Sequence, residues 1–383
     1  MRQVERAIFD IRRGLPVLLR DDSGDTLVHP IEGVGDEQLQ QLTRTAGSAP
    51  ALVLTAHRLA ALGHHFDDDR GQRGGRVAID HLKNSDTLTL LAASRHARDA
   101  DHEAWQSLTM ADEAALAMMR RALLIPAALT ARVDPAQHER IEQLVTEGEL
   151  LAVTAANARA CQDSTAGLLG RISEAEIPLA GAGHTRFILF REPDGLREHV
   201  AVLIGEPEQW HEAVPVRLHS ACLTGDLFGS LRCDCGEQLR NGVASIQAMG
   251  GGVLLYLAQE GRGIGLANKL RAYAMQDEGL DTIDADQVLG FGEDERHYTM
   301  ALDILIELGI RRIQLLTNNP AKLAAMNQSG IEVANRHGIY GSLTDQNRRY
   351  LNAKASRAGH LLDDILDEHE RDATTVFSPA ASK

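Results

Sequence analysis

Three of the four cysteines of this chain, Cys222, Cys233 and Cys235, fall within fourteen residues. Thiolates are favoured ligands of Zn²⁺, and three of them with no fourth cysteine at finger-like spacing leave one position of a tetrahedral ion open. An open position is typical of catalytic zinc, where a bound water loses its proton at a pH of about 7. The spacing therefore predicts a zinc site that activates water.

Two other interpretations of the same cysteines stay open on spacing alone. His219 stands three residues before Cys222 and could supply a fourth ligand, which would make the zinc structural. Alternatively, the C-x-C pair consists of reduced core thiols and the third cysteine is unrelated to them. Cys161 has no partner nearby in the sequence, so we predict that it is a buried or incidental thiol.

Two turns have the composition of phosphate-binding segments. Residues 259–266, QEGRGIGL, follow an apolar run and lead into a helical pattern, so backbone N–H groups and an arginine could face an anion there. Residues 317–322, TNNPAK, offer hydroxyl, amide and ammonium donors in a similar place. Each turn alone is as readily a plain connection between a strand and a helix.

Residues 290–297, GFGEDERH, bring acidic, basic and guanidinium groups to the entrance of a predicted helix. A simple alternative is an acidic N-cap region that the helix dipole favours. Taken with the metal-activated water and the two turns, however, these groups indicate hydrolysis of a substrate with several phosphates. A nucleoside triphosphate meets both requirements.

The bulk properties describe a two-domain globular protein. A chain of 383 residues exceeds the size at which one core usually keeps growing. Hydrophobic residues make up 44% and charged residues 24%, and neither a signal-peptide pattern nor a long apolar run appears, so we expect a cytoplasmic protein with no membrane partner. A net charge of −15 argues against general binding of nucleic acid, and the cysteine usage suits a reducing compartment.

The elements of the first half predict an α/β layer domain. Short apolar runs at residues 16–19, 51–54 and 88–91 alternate with helical stretches, and loops rich in Asp and Gly connect them at residues 21–25 and 65–75. A polar, more helical stretch follows from residue 134 to residue 173, and a new strand signal begins at residue 187. We therefore expect a domain boundary near residue 170.

The second half also alternates strands and helices, which again predicts α/β layering. The predicted strands are residues 199–204, 216–219, 252–258 and 313–317, and the predicted helices are residues 237–249, 266–278 and 298–308. Gly279 and Gly309 are expected to end helices, and Asn319 followed by Pro320 is expected to begin one. Residues 373–383 are small and polar, and we expect a disordered tail.

Four long segments resemble GTP cyclohydrolase II of riboflavin biosynthesis, in the order found in that family. They read RLHSACLTGDLFGSLRCDCGEQL, QEGRGIGLANKLRAYAMQDEGLDT, LGFGEDERHY and LLTNNPAKL, and YLNAK and GH near residues 350–360 also match. The resemblance implies two three-layer α/β domains with mixed sheets. A cyclohydrolase domain would span residues 171–371, after a first domain at residues 1–170 and before a tail at residues 372–383.

The resemblance implies that GTP is opened at C8 with release of formate and pyrophosphate, leaving 2,5-diamino-6-(5-phosphoribosylamino)pyrimidin-4-one. In the family, the cysteines matching Cys222, Cys233 and Cys235 hold one Zn²⁺, which removes the fourth-ligand role of His219. Mg²⁺ is expected with the triphosphate, and a homodimer is expected as the assembly.

Residue by residue, the resemblance also implies a substrate site. The matching GTP contacts are Arg217, Leu218, His219, Ser220, Ala221, Gln238, Glu260, Gly261, Arg262, Thr282, Thr317 and Lys322. Tyr273 matches a tyrosine near the ring-opening site, and Asp294 matches the proton acceptor. Arg296 matches a residue proposed to attack the α-phosphate. Because a guanidinium is a poor nucleophile, stabilising charge there is the physically easier role.

One departure from the family lies inside this site, where many relatives have Glu and this chain has Ala221. Backbone groups could still reach the nucleotide, so we expect activity with altered affinity. Two alternatives remain, a paralogue that acts on a related purine nucleotide and a GTP-binding regulator without turnover.

The first half resembles, more weakly, the 3,4-dihydroxy-2-butanone 4-phosphate synthase domain that often precedes this cyclohydrolase. The acidic metal-binding loop of that synthase is replaced by DSGDTL at residues 22–27, and its later HTEA segment by MADEA at residues 110–114. Mg²⁺ binding and enolisation of a sugar phosphate then have no visible agents. We predict a non-catalytic scaffold or dimerisation domain, and a bifunctional enzyme is the least favoured alternative.

Overall fold

The computed structural model describes residues 2–64, 73–79, 84–97, 105–162, 169–328 and 330–341. The chain divides into two compact units. Unit 1 comprises Met1–Thr165 and Gly261–Glu295, and unit 2 comprises Ala166–Glu260 and Arg296–Lys383. Each unit is built on its own mixed β-sheet.

The helices and strands are numbered along the chain. The helices are α1 (Arg2–Arg12), α2 (Asp36–Ala46), α3 (Ala56–Ala61), α4 (Ser85–Ala93), α5 (Met110–Arg121), α6 (His138–Glu147), α7 (Ala155–Arg159), α8 (Leu223–Asp226), α9 (Cys235–Ala248), α10 (Leu266–Asp277), α11 (Thr282–Val288), α12 (Thr299–Glu307) and α13 (Pro320–Asn327). The strands are β1 (Val17–Asp21), β2 (Gly24–Pro30), β3 (Ala51–Thr55), β4 (Gly74–Ala78), β5 (Ala127–Arg132), β6 (Leu151–Thr154), β7 (Gly170–Glu176), β8 (Thr185–Arg191), β9 (Glu198–Ile204), β10 (Val214–Ser220), β11 (Gly252–Leu257), β12 (Arg312–Leu316) and β13 (Glu332–His337).

The sheet of unit 1 has the order β4-β3-β5-β2-β1-β6, in which β1 and β6 are parallel and the other neighbours antiparallel. Leu18, Leu52 and Leu129 point to one face, where they pack with apolar residues of α2, α4 and α6. Helices α1 and α5 contact the strands outside that cluster. Because helices cover both faces, the strands are apolar almost throughout.

The sheet of unit 2 has the order β13-β12-β10-β11-β9-β8-β7, with parallel pairing from β13 to β11 and antiparallel pairing beyond. Alternate residues of β11 serve opposite faces: Val253 and Leu255 pack with Ile304 of α12, and Leu254 packs with Ile246 of α9. Both sheets are therefore central layers between helices, and the expected α/β fold class with mixed sheets is confirmed.

The topology of unit 2 creates a place for a ligand. After β10 the chain passes through α9 to β11 on one side, and it later forms β12 on the other side of β10. In open α/β sheets, ligands bind outside the carboxyl ends of the strands at such a switch point. The carboxyl ends of β10, β11 and β12 lead directly into residues 221, 258 and 317.

Residues 261–295 belong to unit 1, although the sequence assigned them to the second domain. Ile264, Leu289 and Phe291 are buried in a cluster that Ala93 of α4 joins, and α11 contacts α3. The division at residue 170 follows the family motifs, whereas the compact units follow the burial of these side chains.

Most predicted elements of unit 2 are confirmed to within two residues, and the side chain of Asn319 caps α13 by accepting from the backbone N–H of Ala321 at 2.8 Å. The strand expected at residues 88–91 is wrong, because these leucines lie in α4, whose N-cap Asn84 accepts from Thr87 N–H at 2.9 Å. The polar stretch 134–173 also contains β6 and the start of β7, two strands that its polarity concealed.

The acidic N-cap interpretation of residues 290–297 is also wrong, because α12 begins only at Thr299 and its N-cap is Tyr298. Residues 65–72, the matches near residues 350–360 and the expected tail lie outside the described residues. Among the helices that the structure describes, none is long and apolar enough to cross a membrane.

Candidate functional site

The three cysteines of the motif converge at the carboxyl end of β10. The Sγ atoms of Cys222, Cys233 and Cys235 lie within 4.8 Å of one another, and those of Cys222 and Cys233 are 3.7 Å apart. A tetrahedral zinc with Zn–S bonds of about 2.3 Å separates its sulfurs by roughly 3.8 Å. Within the described residues all three cysteines remain thiols. Their positions therefore fit a metal held by three sulfurs.

Gly225 makes this convergence possible. A Cβ atom at this position would lie 2.7 Å from Cys233 Sγ and 3.1 Å from Cys222 Sγ. Gly236 has a similar role at the start of α9, because a Cβ there would lie 2.3 Å from the carbonyl oxygen of Gly225. The two glycines let α8 approach α9 closely enough to place the sulfurs around one point.

Asp226 organises the residues behind the thiols, and sequence reasoning missed it. Its carboxylate accepts hydrogen bonds from Cys222 N–H and Tyr256 Oη, each at 2.9 Å. It also lies 3.1 Å from Nε2 of His219, whose ring stacks on that of Tyr256. The sequence spacing could have indicated this contact, since Asp226 follows Cys222 by four residues, which is about one helical turn.

His219 is directed to Asp226. Burial lowers the pKa of His219, and its hydrogen bond with Asp226 acts in the opposite direction. The imidazole is therefore neutral at pH 7, and its Nε2–H donates to the carboxylate. This arrangement agrees with a site of three sulfurs in which the histidine is not a fourth ligand.

Two buried cations lie near the carboxyl ends of β10 and β12. Arg217 is 4% exposed and donates to Gln238 Oε1 at 2.8 Å and to the carbonyl oxygen of Leu316 at 3.3 Å. Lys322 donates from Nζ to the carbonyl oxygen of Leu218 at 2.7 Å. Burial lowers the pKa of Arg217 to about 10, so it remains charged at pH 7. Buried cations are costly without anionic partners, which makes this region suitable for a phosphate.

The Nε atom of Arg217 is buried with no hydrogen-bond partner in the part of the chain that the structure describes. Nearby, Thr317 is 3% exposed. Glu260 accepts from the backbone N–H of Leu223 at 2.6 Å, and Ser220 Oγ donates to Gln259 at 3.4 Å. Among these residues, Glu260 is hydrogen-bonded directly to the loop that carries the thiols.

The backbone N–H of Ala221 is already hydrogen-bonded within the protein. It donates to the carbonyl oxygen of Leu257 at 2.8 Å, which extends the pairing of β10 with β11. Of the backbone groups that were expected to reach the nucleotide, the N–H of Ala221 is therefore already bonded within the sheet. The departure from the family pattern at this position lies in its side chain.

Another part of the predicted site belongs to unit 1. Gly261 and Arg262 both have left-handed backbone conformations, with φ of +62° and +60°. A non-glycine residue rarely adopts this conformation, and such strain is concentrated at functional sites. Arg262 Nη1 donates to the carbonyl oxygen of Glu293 at 3.3 Å and lies 4.0 Å from Asp286. The strained turn thus aims a guanidinium at the segment that carries Asp294.

Asp286 is a second residue that sequence reasoning missed, because it occupies an interior position of α11. It is 3% exposed. Burial raises its pKa to about 7, while the charge of Arg262 acts in the opposite direction. In the same unit, Lys269 Nζ lies 5.6 Å from the ring centre of Tyr273. Thr282 is the first residue of α11.

The structure thus distributes the predicted residues between the two units. Unit 2 holds the three cysteines, Arg217, Leu218, His219, Ser220, Ala221, Gln238, Glu260, Arg296, Thr317 and Lys322, and unit 1 holds Gly261, Arg262, Tyr273, Thr282 and Asp294. Unit 2 brings a three-thiol centre together with buried cations at the ends of parallel strands. These features define a class of metal-dependent α/β enzymes with anionic substrates.

Comparison with known proteins specifies the family. A family model for GTP cyclohydrolase II matches residues 170–338. GTP cyclohydrolase-2 of Xylella fastidiosa (strain 9a5c) is 44% identical over 363 residues, which cover 94% of this chain and 87% of that protein. The chain belongs to the GTP cyclohydrolase II family, and the resemblance of its motifs is confirmed. At this coverage the match includes most of unit 1 as well as unit 2.

Two further similarities cover different parts of the chain. The riboflavin biosynthesis protein RibBA of Thermotoga maritima is 46% identical over 201 residues, 52% of this chain and 50% of that protein. Among solved structures, RibBX, a two-domain 3,4-dihydroxy-2-butanone 4-phosphate synthase from A. baumannii, covers 88% of this chain and 99% of its own at 18% identity and a TM-score of 0.33. A score this low establishes no shared fold.

Replacing Gly225 by Ala is expected to weaken zinc binding roughly 10- to 100-fold, because the new Cβ would displace the sulfurs. The measurement is competition with a chromophoric zinc chelator. Gly183→Ala is the matched control, since Gly183 lies in the same unit, has no left-handed backbone conformation and has no atom within 4 Å of its added Cβ. Equal zinc affinity in the two variants would contradict the crowding argument.

Replacing Asp286 by Asn is expected to stabilise the protein at pH 8.5 by on the order of 1 kcal/mol. The folded pKa of Asp286 is raised to about 7, so its contribution to stability is present at low pH and is lost as pH rises through 7. The gain should shrink at pH 5.5 when both proteins are unfolded in urea. Asp284→Asn on the same helix is the control, and a gain independent of pH would count against the assignment.

Proposed function

We propose that this chain hydrolyses GTP to 2,5-diamino-6-(5-phosphoribosylamino)pyrimidin-4-one, formate and pyrophosphate, the first step of riboflavin biosynthesis. The observation that carries the proposal is the convergence of three thiols at Cys222, Cys233 and Cys235 in a chain of the GTP cyclohydrolase II family. The names of the relatives support GTP as substrate and riboflavin as the pathway.

The three thiols would hold one Zn²⁺ with a fourth position for water. Held there, the ion would activate water near neutral pH, which is the chemistry that opening the guanine ring at C8 requires. Asp226 keeps the first thiol in place by accepting from the backbone N–H of Cys222, and it orients the neutral ring of His219. Asp294 is our candidate for the group that accepts a proton, and Tyr273 for a residue near the opening ring.

The triphosphate would be bound by cations, with Mg²⁺ shared among its oxygens. Arg217 and Lys322 support this assignment, because both are buried cations whose N–H groups donate to carbonyl or amide oxygens. Arg262 adds a guanidinium with one buried nitrogen, Nη2, that has no partner in the described part of the chain. We assign Arg296 to the α-phosphate as a charge-stabilising residue, since a guanidinium is a poor nucleophile.

We further propose that the first half has no synthase activity and that the enzyme works as a cytoplasmic homodimer, without nucleic acid or membrane partners. In unit 1, Asp25, His138 and Glu142 have ligand atoms close enough to hold a metal. Both carboxylates, however, already face Arg20, which lies 3.8 Å from Asp25 and forms an ion pair with Glu142. This cluster does not replace the missing acidic loop.

A second candidate function is hydrolysis of a related purine nucleotide. It is favoured by Ala221, whose side chain is short and whose N–H is used by Leu257. Comparing turnover of GTP, ITP, XTP and ATP separates the two candidates. Preference for a nucleotide other than GTP would support the second, and tight GTP binding with no product would indicate a regulator.

The central test is a product assay on full-length protein of measured zinc content, incubated with GTP and Mg²⁺. We expect formate and pyrophosphate in equal amounts. Replacing Cys233 by Ser should remove zinc and abolish formate release, because two thiols are left to hold the ion. Cys161→Ser, which changes a buried thiol outside the site, should leave both unchanged. Zinc-loaded wild-type protein that releases no formate would refute the proposal.

Replacing Arg296 by Ala should slow pyrophosphate release roughly 10²- to 10³-fold, as expected for loss of a group that stabilises charge in the transition state. Pyrophosphate is measured with a coupled enzymatic assay at saturating GTP. Arg311→Ala removes an exposed guanidinium of the same unit and serves as the control. Wild-type pyrophosphate release by the Arg296 variant would rule out the assigned role.

A further inference from the structure

The segment that carries Asp294 is held by residues from the first 165 positions of the chain. Residues 289–295 lie between α11 and α12, and the structure describes no helix or strand within them. Their conformation must therefore be fixed by what they contact. Three side chains of unit 1 make such contacts: Thr55 and Arg120 contact the segment itself, and Arg58 contacts Val288 immediately before it.

Arg58 links the end of α11 to α4. Its side chain is 1% exposed and donates from Nη1 to the carbonyl oxygen of Val288 at 3.0 Å. Its other donors reach the carbonyl oxygens of Leu91 at 2.7 Å, Ser94 at 2.8 Å and Leu90 at 3.2 Å. Four carbonyl dipoles thus stabilise one buried guanidinium, so the position of Val288 is coupled to the packing of α4.

Thr55 holds the next turn of the segment. Its Oγ1 is buried, donates to the carbonyl oxygen of Gly290 at 2.7 Å and accepts from the backbone N–H of Arg58 at 3.2 Å. Gly290 has a φ of +88°, and a Cβ there would lie 3.1 Å from Thr55 Oγ1 and 3.2 Å from Pro126 Cγ. The turn at Gly290 is therefore fitted closely to Thr55 of β3 and to Pro126, which precedes β5.

Arg120 reaches the far end of the segment. Its Nε lies 3.5 Å from Glu295 Oε1, which accepts from the backbone N–H of Gly292 at 2.8 Å. The backbone N–H of Glu295 donates to the carbonyl oxygen of Arg262 at 3.1 Å. Asp294 thus lies between residues that are fixed on both sides, and the same contacts connect it to the strained turn at Arg262.

We propose that Thr55, Arg58 and Arg120 are positioning residues for GTP hydrolysis, and that unit 1 acts in the cyclohydrolase reaction by holding residues 288–295. This inference rests on the proposed function, because it needs Asp294 and Arg262 to act on GTP. It gives the first half of the chain a role that requires no synthase chemistry. Displacing catalytic groups by about 1 Å can cost roughly a hundredfold in rate, so weak support of the segment is sufficient to reduce turnover.

The test compares Thr55→Val with Thr154→Val in the full-length protein. Both threonines are N-caps, and Thr154 Oγ1 accepts from Asn157 N–H at 3.3 Å at the start of α7. We expect Thr55→Val to lower kcat for formate release roughly tenfold, with a smaller change in the KM for GTP. It should also speed amide hydrogen exchange in residues 288–295. Thr154→Val should change neither, and both variants should retain zinc.

Wild-type kcat and wild-type exchange in Thr55→Val would overturn the inference, as would equal losses in the two variants. If Thr55→Val does not fold, Arg120→Gln provides the same comparison, because it removes the contact with Glu295 and leaves the cap of α3 intact. If wild-type protein releases no formate, the proposed function fails, and the exchange data still show whether Thr55 holds the segment.

Discussion

The candidate chemistry depends on three sulfur atoms sharing one point at the end of β10. Three sulfur atoms can approach this closely only if no side chain occupies the space beside them. Gly225 provides that space, because a Cβ atom there would contact the sulfurs of Cys233 and Cys222. Gly236 does the same for the approach of α9 to α8. Asp226 then ties the loop to its surroundings, since it bonds to the backbone of Cys222 and to Tyr256. Of the other predicted residues of unit 2, Glu260 bonds to this loop directly and His219 bonds to it through Asp226.

Charge is distributed unevenly in this molecule. The chain carries a net charge of −15, yet Arg217 and Lys322 are buried cations beside the ends of β10 and β12. Their burial is tolerable because carbonyl and amide oxygens accept from them, and an anionic ligand would offset the remaining cost. An acidic protein can therefore present a local polyphosphate site. The position that we propose for that site coincides with the switch point of the parallel strands.

The sequence predicted the local features well. Cysteine spacing indicated a cluster of thiols suited to a metal, and apolar runs with Gly and Asn signals placed the predicted strands and helices of the second half, because these features depend on neighbours in the chain. Asp226, Asp286 and Arg58 were not predictable in this way. Each of these residues depends on a partner that is distant in the sequence. Asp226 bonds to Tyr256, Asp286 faces Arg262, and Arg58 bonds to Val288, at separations between 24 and 230 residues.

Contacts between residues distant in the sequence also explain the larger differences between the predicted and the observed elements and boundaries. Residues 88–91 have the composition of a short strand, and only the cap at Asn84 and the packing of unit 1 make them helical. Residues 261–295 carry family motifs of the second domain, but their apolar side chains are buried in unit 1. Sequence similarity identifies a domain by its motifs, whereas compactness depends on which surfaces are buried together. Here the two criteria give different boundaries.

The most direct measurement of the central claim is X-ray absorption at the zinc edge of the purified full-length protein. The account predicts one zinc per chain with three sulfur neighbours at about 2.3 Å and one lighter neighbour, oxygen or nitrogen, which exchanges when GTP is added. Four protein ligands that do not change with GTP, or cysteines joined in a disulfide with no zinc bound, would contradict it.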